Sequence, residues 1–302
     1  MCQRNWRQYT ASLVQRGSLS FFLNPDLIAY LKEAQRPEGR NGRPSYTLHV
    51  TLIMLYMKVS FQLSYRACEG MARSMFEPHG VKVPSYVTLC RRITELTDHL
   101  AALSNRRPET VLVDSSGFKV LGEGEWKSKI HGRSYRRSWV KAHLAVDSRS
   151  NEIVDLILTP GSASDAKIGL ELLKRTSAAT KRILGDGAYD CEGFRLLAYE
   201  KAIEVLVPPP THATLREEAH LQARNDSVKI ICALGGDKVA KRLWGKLTGY
   251  CHRVKVESAF SRLKRLFGER LFSRRFEAMN VELWLKAQLS NLWLKWATSK
   301  GF

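Results

Sequence analysis

The sequence predicts an α/β protein: a helical N-terminal domain, followed by a domain in which strands and helices run βββαβαβα. Three observations predict it. Residues 24–103 carry helical periodicity and almost no strand-like alternation. The polar, proline-bearing segment SNRRPET (104–110) then interrupts the pattern, as a domain boundary does. Beyond it apolar residues alternate, and short strands are interleaved with helix-period runs. A chain of 302 residues is long enough for two cores, so the domains are set at 1–105 and 106–302.

In the first domain, SYRACEGMARSMF (64–76) and SYVTLCRRITEL (85–96) each open on a serine able to accept the first orphan amides of a helix. Pro84 stands just ahead of the second, which offers Tyr86, Thr88, Arg91 and Arg92 to a partner. The pair fits either a helix-turn-helix that reads a DNA groove or plain helix packing. The joining segment, 77–84, is longer than the usual turn of that motif.

In the second domain, VLVDSSGFKV (111–120) reads as a strand, and SWVKAHLAVDSRSNEIVDLILTP (138–160) as a hairpin around the polar turn DSRSNE. Ser164 caps a helix over 165–175, KRILGDG (181–187) is a short strand, 192–201 is helix, and AIEVLVP (202–208) is strand again. Residues 209–249 are broken by Gly235, Gly236, Gly245 and Gly249 and read as a small, partly irregular insertion facing DNA. From 250 to 269 the period is helical, with Val256, Phe260, Leu263 and Phe267 on one stripe. A last amphipathic helix, 281–297, carries Leu285, Leu289, Leu292 and Trp296 on one face, to pack on the core or on another subunit.

Lys and Arg number 48 against 29 Asp and Glu, a net charge of +19. Such a surplus repels itself until a polyanion neutralises it, so nucleic acid is the expected partner. The 44% hydrophobic content excludes wholesale disorder and collagen-like repeats. Six scattered cysteines with no CxxC read as reduced thiols in a cytoplasmic protein. No apolar run approaches the roughly 18 residues of a membrane span, and the N-terminus lacks the apolar region of an export signal. No membrane partner is expected.

Three acidic residues stand out. Asp114 interrupts the apolar run VLVDSSG, where a lone carboxylate on a central strand must find a partner or stay neutral. Asp186 ends a strand between Gly185 and Gly187, where backbone can approach a ligand closely. Asp190 is the alternative carboxylate there, and GDGAYD also reads as a simple turn. Glu257 lies one residue off the core stripe of its helix, and either joins the other acids or makes an ordinary salt bridge with Arg253. On a continuous helix Tyr250, Arg253 and Lys264 fall at roughly +20°, −40° and −20° from Glu257, on one narrow face.

Gathered carboxylates repel unless hard divalent cations with oxygen ligands neutralise them; Mg²⁺ or Mn²⁺ fits, whereas zinc lacks its usual ligands. Two such ions about 4 Å apart activate an attacking oxygen and stabilise the leaving oxygen of a phosphodiester.

At these residues the sequence resembles the DDE transposases of bacterial insertion sequences, in the family numbered five. Tyr250, Arg253, Glu257 and Lys264 meet the signature Tyr-x2-Arg-x3-Glu-x6-Lys, while VDSSGFKV with Asp114 and GDGAYD with Asp186 resemble the two earlier acidic motifs. NWRQY, LSYRACEGMARSMF, VPSYVTLCRR and WVKAHLAVD extend the likeness along nearly the whole chain. The resemblance implies a ribonuclease H-like core in which Asp114, Asp186 and Glu257 are catalytic and hold two Mg²⁺ ions, with Mn²⁺ as substitute. It implies an enzyme of the bacterial cytoplasm that binds the terminal inverted repeats of its insertion sequence through the helical domain. Water cuts the element ends, and the freed 3′-hydroxyl attacks target DNA. Its partner is then double-stranded DNA, and bringing two ends together implies a homo-oligomer. Tyr250, Arg253 and Lys264 would position DNA, or Arg253 would orient Glu257. The acids stand roughly 70 residues apart in turn, which leaves room for only a small insertion before the last.

Elsewhere, EWKSKIHGRSYRRSWVKAH (125–143) sets Arg136 and Arg137 among Trp126, Tyr135 and Trp139, a mixture suited to phosphates and unstacked bases, or to a solvated hairpin with its aromatics inward. His131 and His143 read as structural histidines, because no second ligand stands at i+3 or i+4.

Overall fold

The computed structural model describes residues 6–34, 46–100, 103–120 and 139–298. In chain order the elements are α1 (Trp6–Gln15), α2 (Pro25–Glu33), α3 (Leu48–Ser60), α4 (Tyr65–Phe76), α5 (Tyr86–Arg92), β1 (Thr110–Val120), β2 (Trp139–Asp147), β3 (Ile153–Pro160), α6 (Asp165–Arg175), β4 (Arg182–Leu184), α7 (Glu192–Glu200), β5 (Glu204–Leu206), α8 (Gln222–Ala233), α9 (Lys238–Leu247), α10 (Val254–Phe267), β6 (Arg270–Leu271) and α11 (Phe276–Thr298). Among the described residues no helix is long and apolar enough to cross a membrane. The chain divides into two compact units, Met1–Ala101 with Phe272–Phe302, and Ala102–Leu271.

The first unit is helical. Ser64 accepts the amide of Ala67 and Ser85 that of Thr88, so both helices start where the sequence expects. α3 buries Val50, Met54, Leu55 and Met57. The last helix, expected with the second domain, belongs to this unit and packs on α1 and α3. A polar anchor helps to hold it: Glu282 and Lys286 pair at 2.9 Å, both almost wholly buried, and Glu282 also accepts the amides of Phe272 and Ser273. A charge so deep is stable only when paired and hydrogen-bonded.

The second unit is built on one sheet in the order β3-β2-β1-β4-β5, with β6 beside the far end of β1. β1, β2 and β3 are antiparallel neighbours, whereas β4 and β5 run parallel to β1. The β2–β3 turn closes on Asp147, whose carboxylate accepts the Arg149 amide and the Ser150 hydroxyl, with Asn151 at φ 61°. Asn tolerates that left-handed conformation better than most residues.

Alternation along β1 sends Val111 and Val113 to one face, into a core with Ala145, Leu172, Ile183, Tyr189, Phe194 and Val205. Asp114, Ser116 and Phe118 point to the other face, where α10 lies. α6 and α7 therefore cover one face and α10 the other. Three antiparallel strands, parallel crossovers through helices and a covering C-terminal helix make this a ribonuclease H-like core.

Within residues 209–249, read as partly irregular, α8 and α9 form, because Asp237 caps α9 through the Ala240 amide and Gly235 and Gly236, at φ 107° and 73°, make the turn between them. Two local expectations are corrected. Ser164 occupies the cap position of α6, but its side chain makes no capping bond. Tyr250 and Arg253 lie on a 3₁₀ turn, Tyr250–Arg253, that precedes α10 rather than within a continuous helix.

On the α6 face, His143 of β2 is wholly buried, its Nε2 2.9 Å from the Thr159 hydroxyl and its Nδ1 3.4 Å from Asp165 at the start of α6. Lys141 Nζ lies 3.2 Å from both oxygens of the same aspartate. Burial, which outweighs Asp165, pulls the His143 pKa from 6.5 down to about 4.

A neutral histidine of this kind stabilises the fold fully above its unfolded pKa of 6.5, and that contribution is lost as pH falls toward about 4, by about 1.4 kcal/mol per unit. Between about pH 7.5 and about pH 5, urea unfolding of His143→Gln should therefore lose about 2 kcal/mol less stability than that of the wild type; equal losses would show that His143 is not held neutral. Gly169 of α6 lies flush on Tyr189, and a Cβ there would meet the ring at 2.5 Å. Gly169→Ala should cost about 1–3 kcal/mol by overpacking despite the better helix propensity of alanine. A variant as stable as the wild type would mean that the ring moves freely.

Candidate active site

Asp114 sits in mid-strand on β1, opposite Leu144 of β2, with its side chain about four-fifths buried. Its Oδ1 accepts the amide of Ser115 at 2.8 Å. Burial raises its pKa, only partly countered by that amide and by Arg253, and the charge of Asp186 raises it further.

The second oxygen of Asp114 is met from the opposite element. Arg253, at the head of α10, donates from Nη1 to Asp114 Oδ2 at 2.9 Å and from Nη2 to Glu257 Oε1 at 2.7 Å. One guanidinium thus joins the first and third acids. Burial opposes its charge, but Tyr250, Asp114 and Glu257 outweigh burial and raise its pKa. The Glu257 side chain is half exposed, as its place beside the core stripe of Val256, Phe260 and Leu263 dictates.

Asp186 follows β4 by two residues and caps a 3₁₀ turn, with its Oδ1 accepting the Ala188 amide at 2.9 Å. Its neighbour in the sequence has another fate. Asp190 is almost fully buried, bound by Arg195 Nε at 2.7 Å and approached by Arg224 Nε at 3.6 Å. Of the two carboxylates in GDGAYD, Asp190 holds the scaffold, while the charge of Asp186 reaches Asp114.

Lys264, two turns along α10, donates to the Ser116 hydroxyl at 2.8 Å and stands over the Phe118 ring. Arg253 and Lys264 both reach side chains of β1. Tyr250, set on its tighter turn, rests on Trp244 with ring centroids 5.0 Å apart; burial raises its pKa, and both Asp114 and Asp186 add to the rise. In the helical unit, Arg91 is exposed on α5, whereas Arg92 gives its Nη1 to the carbonyl of Tyr46 at 2.6 Å and is half-buried. Arg136, Arg137 and His131 lie outside the described residues.

Two features escaped the sequence. Tyr189 is buried with a hydroxyl that has no hydrogen-bond partner among the described residues, and the fields of Asp165, Asp114 and Asp186 all reach it. Ser116, which anchors Lys264, is the other. The signal for Ser116 was its place two residues after Asp114 on the same face of the strand; Tyr189 gave none beyond the motif that contains it.

The donor set suits a hard divalent cation: carboxylate oxygens from three elements, one of them on a rigid strand. Among the described residues no three acidic, histidine or cysteine side chains stand close enough to hold an ion in common, and Arg253 is interposed between Asp114 and Glu257.

The family described as transposase DDE domain matches residues 105–292, and a second family of the same description matches residues 14–123. Among solved structures, the Drosophila P element transposase strand transfer complex aligns with 93% of this chain and 86% of that one, at 12% identity and a TM-score of 0.35, too loose a likeness to bear on fold or function. The first match alone covers more than half of the sequence and contains Asp114, Asp186 and Glu257. The chain belongs to the DDE transposases, of the type found in insertion-sequence family five.

Proposed function

We propose that this DNA transposase binds the terminal inverted repeats of its own insertion sequence, cuts the DNA there and joins the freed ends to target DNA, with Asp114, Asp186 and Glu257 as catalytic residues. DDE domains generally use divalent metal ions, and these three carboxylates would hold two of them, Mg²⁺ or its substitute Mn²⁺. When bound, such ions activate an attacking oxygen and stabilise the leaving oxygen of a phosphodiester. The observation that carries the reading is the Arg253 bridge, which ties Asp114 of β1 to Glu257 of α10 while Asp186 lies near enough to perturb Asp114.

The remaining roles follow from position. The Ser115 amide and the strand hold Asp114 in one orientation. Arg253 and Lys264 bring two cations to the phosphate, and Tyr250 shapes the edge of the site from its packing on Trp244. The helical unit would bind the repeats through α5, where Arg91 is exposed; Arg92 contributes less directly, since it also holds Tyr46. Arg136 and Arg137 would add phosphate contacts. Two ends need two active subunits, so the working form is a homo-oligomer on double-stranded DNA.

The reading is tested by incubating a labelled fragment carrying the ends of the element with protein and Mg²⁺. Glu257→Gln and Asp186→Asn should each abolish nicking and joining while leaving DNA binding and thermal stability near those of the wild type. Either variant cutting normally would remove that residue from the site. Asp190→Asn separates scaffold from chemistry. It should destabilise the protein by about 3 kcal/mol by unpairing Arg195; a fully stable but inactive Asp190→Asn would exchange the roles of the two aspartates.

A further inference from the structure

We propose that Arg253 is an internal stand-in for the divalent cations, and that it must pass to a DNA phosphate before the carboxylates can close on metal, so that DNA and metal bind cooperatively. The inference rests on the acid site described above and adds a linkage between its two ligands.

Arg253 occupies a specific place. Its two terminal nitrogens serve two different acids, at 2.9 Å to Asp114 and 2.7 Å to Glu257. A guanidinium is always charged, so this cation leaves by moving and never by deprotonation. While it stays, Asp114 and Glu257 are held apart across its width, in keeping with the lack of any three-ligand cluster among the described residues. The other cation of the signature is not in the way, because Lys264 donates to the Ser116 hydroxyl.

Movement is local. Arg253 ends a 3₁₀ turn that begins after Gly249, at φ 76°, and lies just outside the regular helix that carries Glu257. The exchange is also chemically balanced. A phosphodiester presents two oxygens to a guanidinium in the same forked geometry as a carboxylate pair, and Arg is the side chain best matched to it. Hard carboxylates in turn favour a divalent cation over a monovalent one. With Arg253 on the phosphate and metal on the acids, every charge keeps a partner; with only one ligand present, one set does not. Two ligands related in this way raise each other's affinity by the same factor.

The test measures Mn²⁺ affinity of the full-length protein by electron paramagnetic resonance of the free ion, with and without a duplex taken from the DNA flanking the gene. Wild-type protein should bind Mn²⁺ weakly alone and roughly 5- to 150-fold more tightly with duplex, the usual span of a coupling between sites. Arg253→Gln should bind tightly without DNA and gain little from it. Lys255→Gln removes an equal charge two residues away, where the side chain donates to the Ser148 carbonyl, and should behave as wild type. Arg253→Lys keeps the charge but cannot span both acids, and should fall between wild type and Arg253→Gln, which guards against a misfolded glutamine variant. DNA-free affinity unchanged in both Arg253 variants, or raised equally in Lys255→Gln, overturns the exchange. Asp114→Asn distinguishes this from failure of the site itself: Mn²⁺ binding that survives Asp114→Asn sinks both readings, whereas ion binding that needs Asp114 but ignores Arg253 sinks the exchange alone.

Discussion

A carboxylate placed in the middle of a covered sheet must be answered by a cation, and the second unit of this protein is arranged around that requirement. Asp114 lies on the central strand, opposite Leu144 of β2, with its side chain about four-fifths buried. The answer comes from Arg253, 139 residues later in the chain. The same guanidinium binds Glu257 of α10, and α10 adds a second fastening to the sheet through Lys264 and Ser116. The charges that would destabilise an ordinary core thus help to set the position of the covering helix, and Arg253 links Asp114 of β1 to Glu257 of α10.

The opposite face of the sheet supports this arrangement. Lys141 and His143 of β2 converge on Asp165 and fix the start of α6. Tyr189 fills the space between α6 and β1, pressed against Gly169 and Gly185, and its ring leaves the turn that carries Asp186 little freedom. Asp190 adds to that rigidity through Arg195 and Arg224. Both faces of β1 therefore converge on one short stretch of chain, Asp114 from the α10 side and the 186–190 turn from the strand end. Such over-determination of a few side chains is what phosphoryl chemistry demands of a scaffold.

Most of the second unit was legible in the sequence because its signals are local. Alternation marked β1 to β3, the polar segment DSRSNE marked their turn, and the apolar stripe of Val256, Phe260, Leu263 and Phe267 marked α10. Three features were not local. α8 buries Arg224, Asn225 and Ser227 while Ile230 stays exposed, so no apolar stripe sets off its buried face. Tyr250 and Arg253 have the spacing of a helix, and periodicity alone does not separate an α-helix from a 3₁₀ turn over four residues. The last helix is not the amphipathic one expected: it buries Val281, Leu283, Leu285, Lys286 and Asn291 on several sides, and its membership in the helical unit rests on contacts with α1 and α3 that no sequence window contains. At the site, the pairing of Asp190 with Arg195 and Arg224 was not legible either, because their approach is a matter of three-dimensional packing.

The central claim is that Asp114, Asp186 and Glu257 form one cation-binding centre in the working enzyme. Anomalous diffraction at the manganese edge, from crystals of the protein bound to DNA ends in Mn²⁺, would test it directly. The account predicts manganese peaks with oxygens of all three carboxylates at about 2.1 Å, with Arg253 withdrawn from between Asp114 and Glu257. Peaks bound by other residues, or an Arg253 still bridging the two acids beside fully occupied manganese, would contradict it.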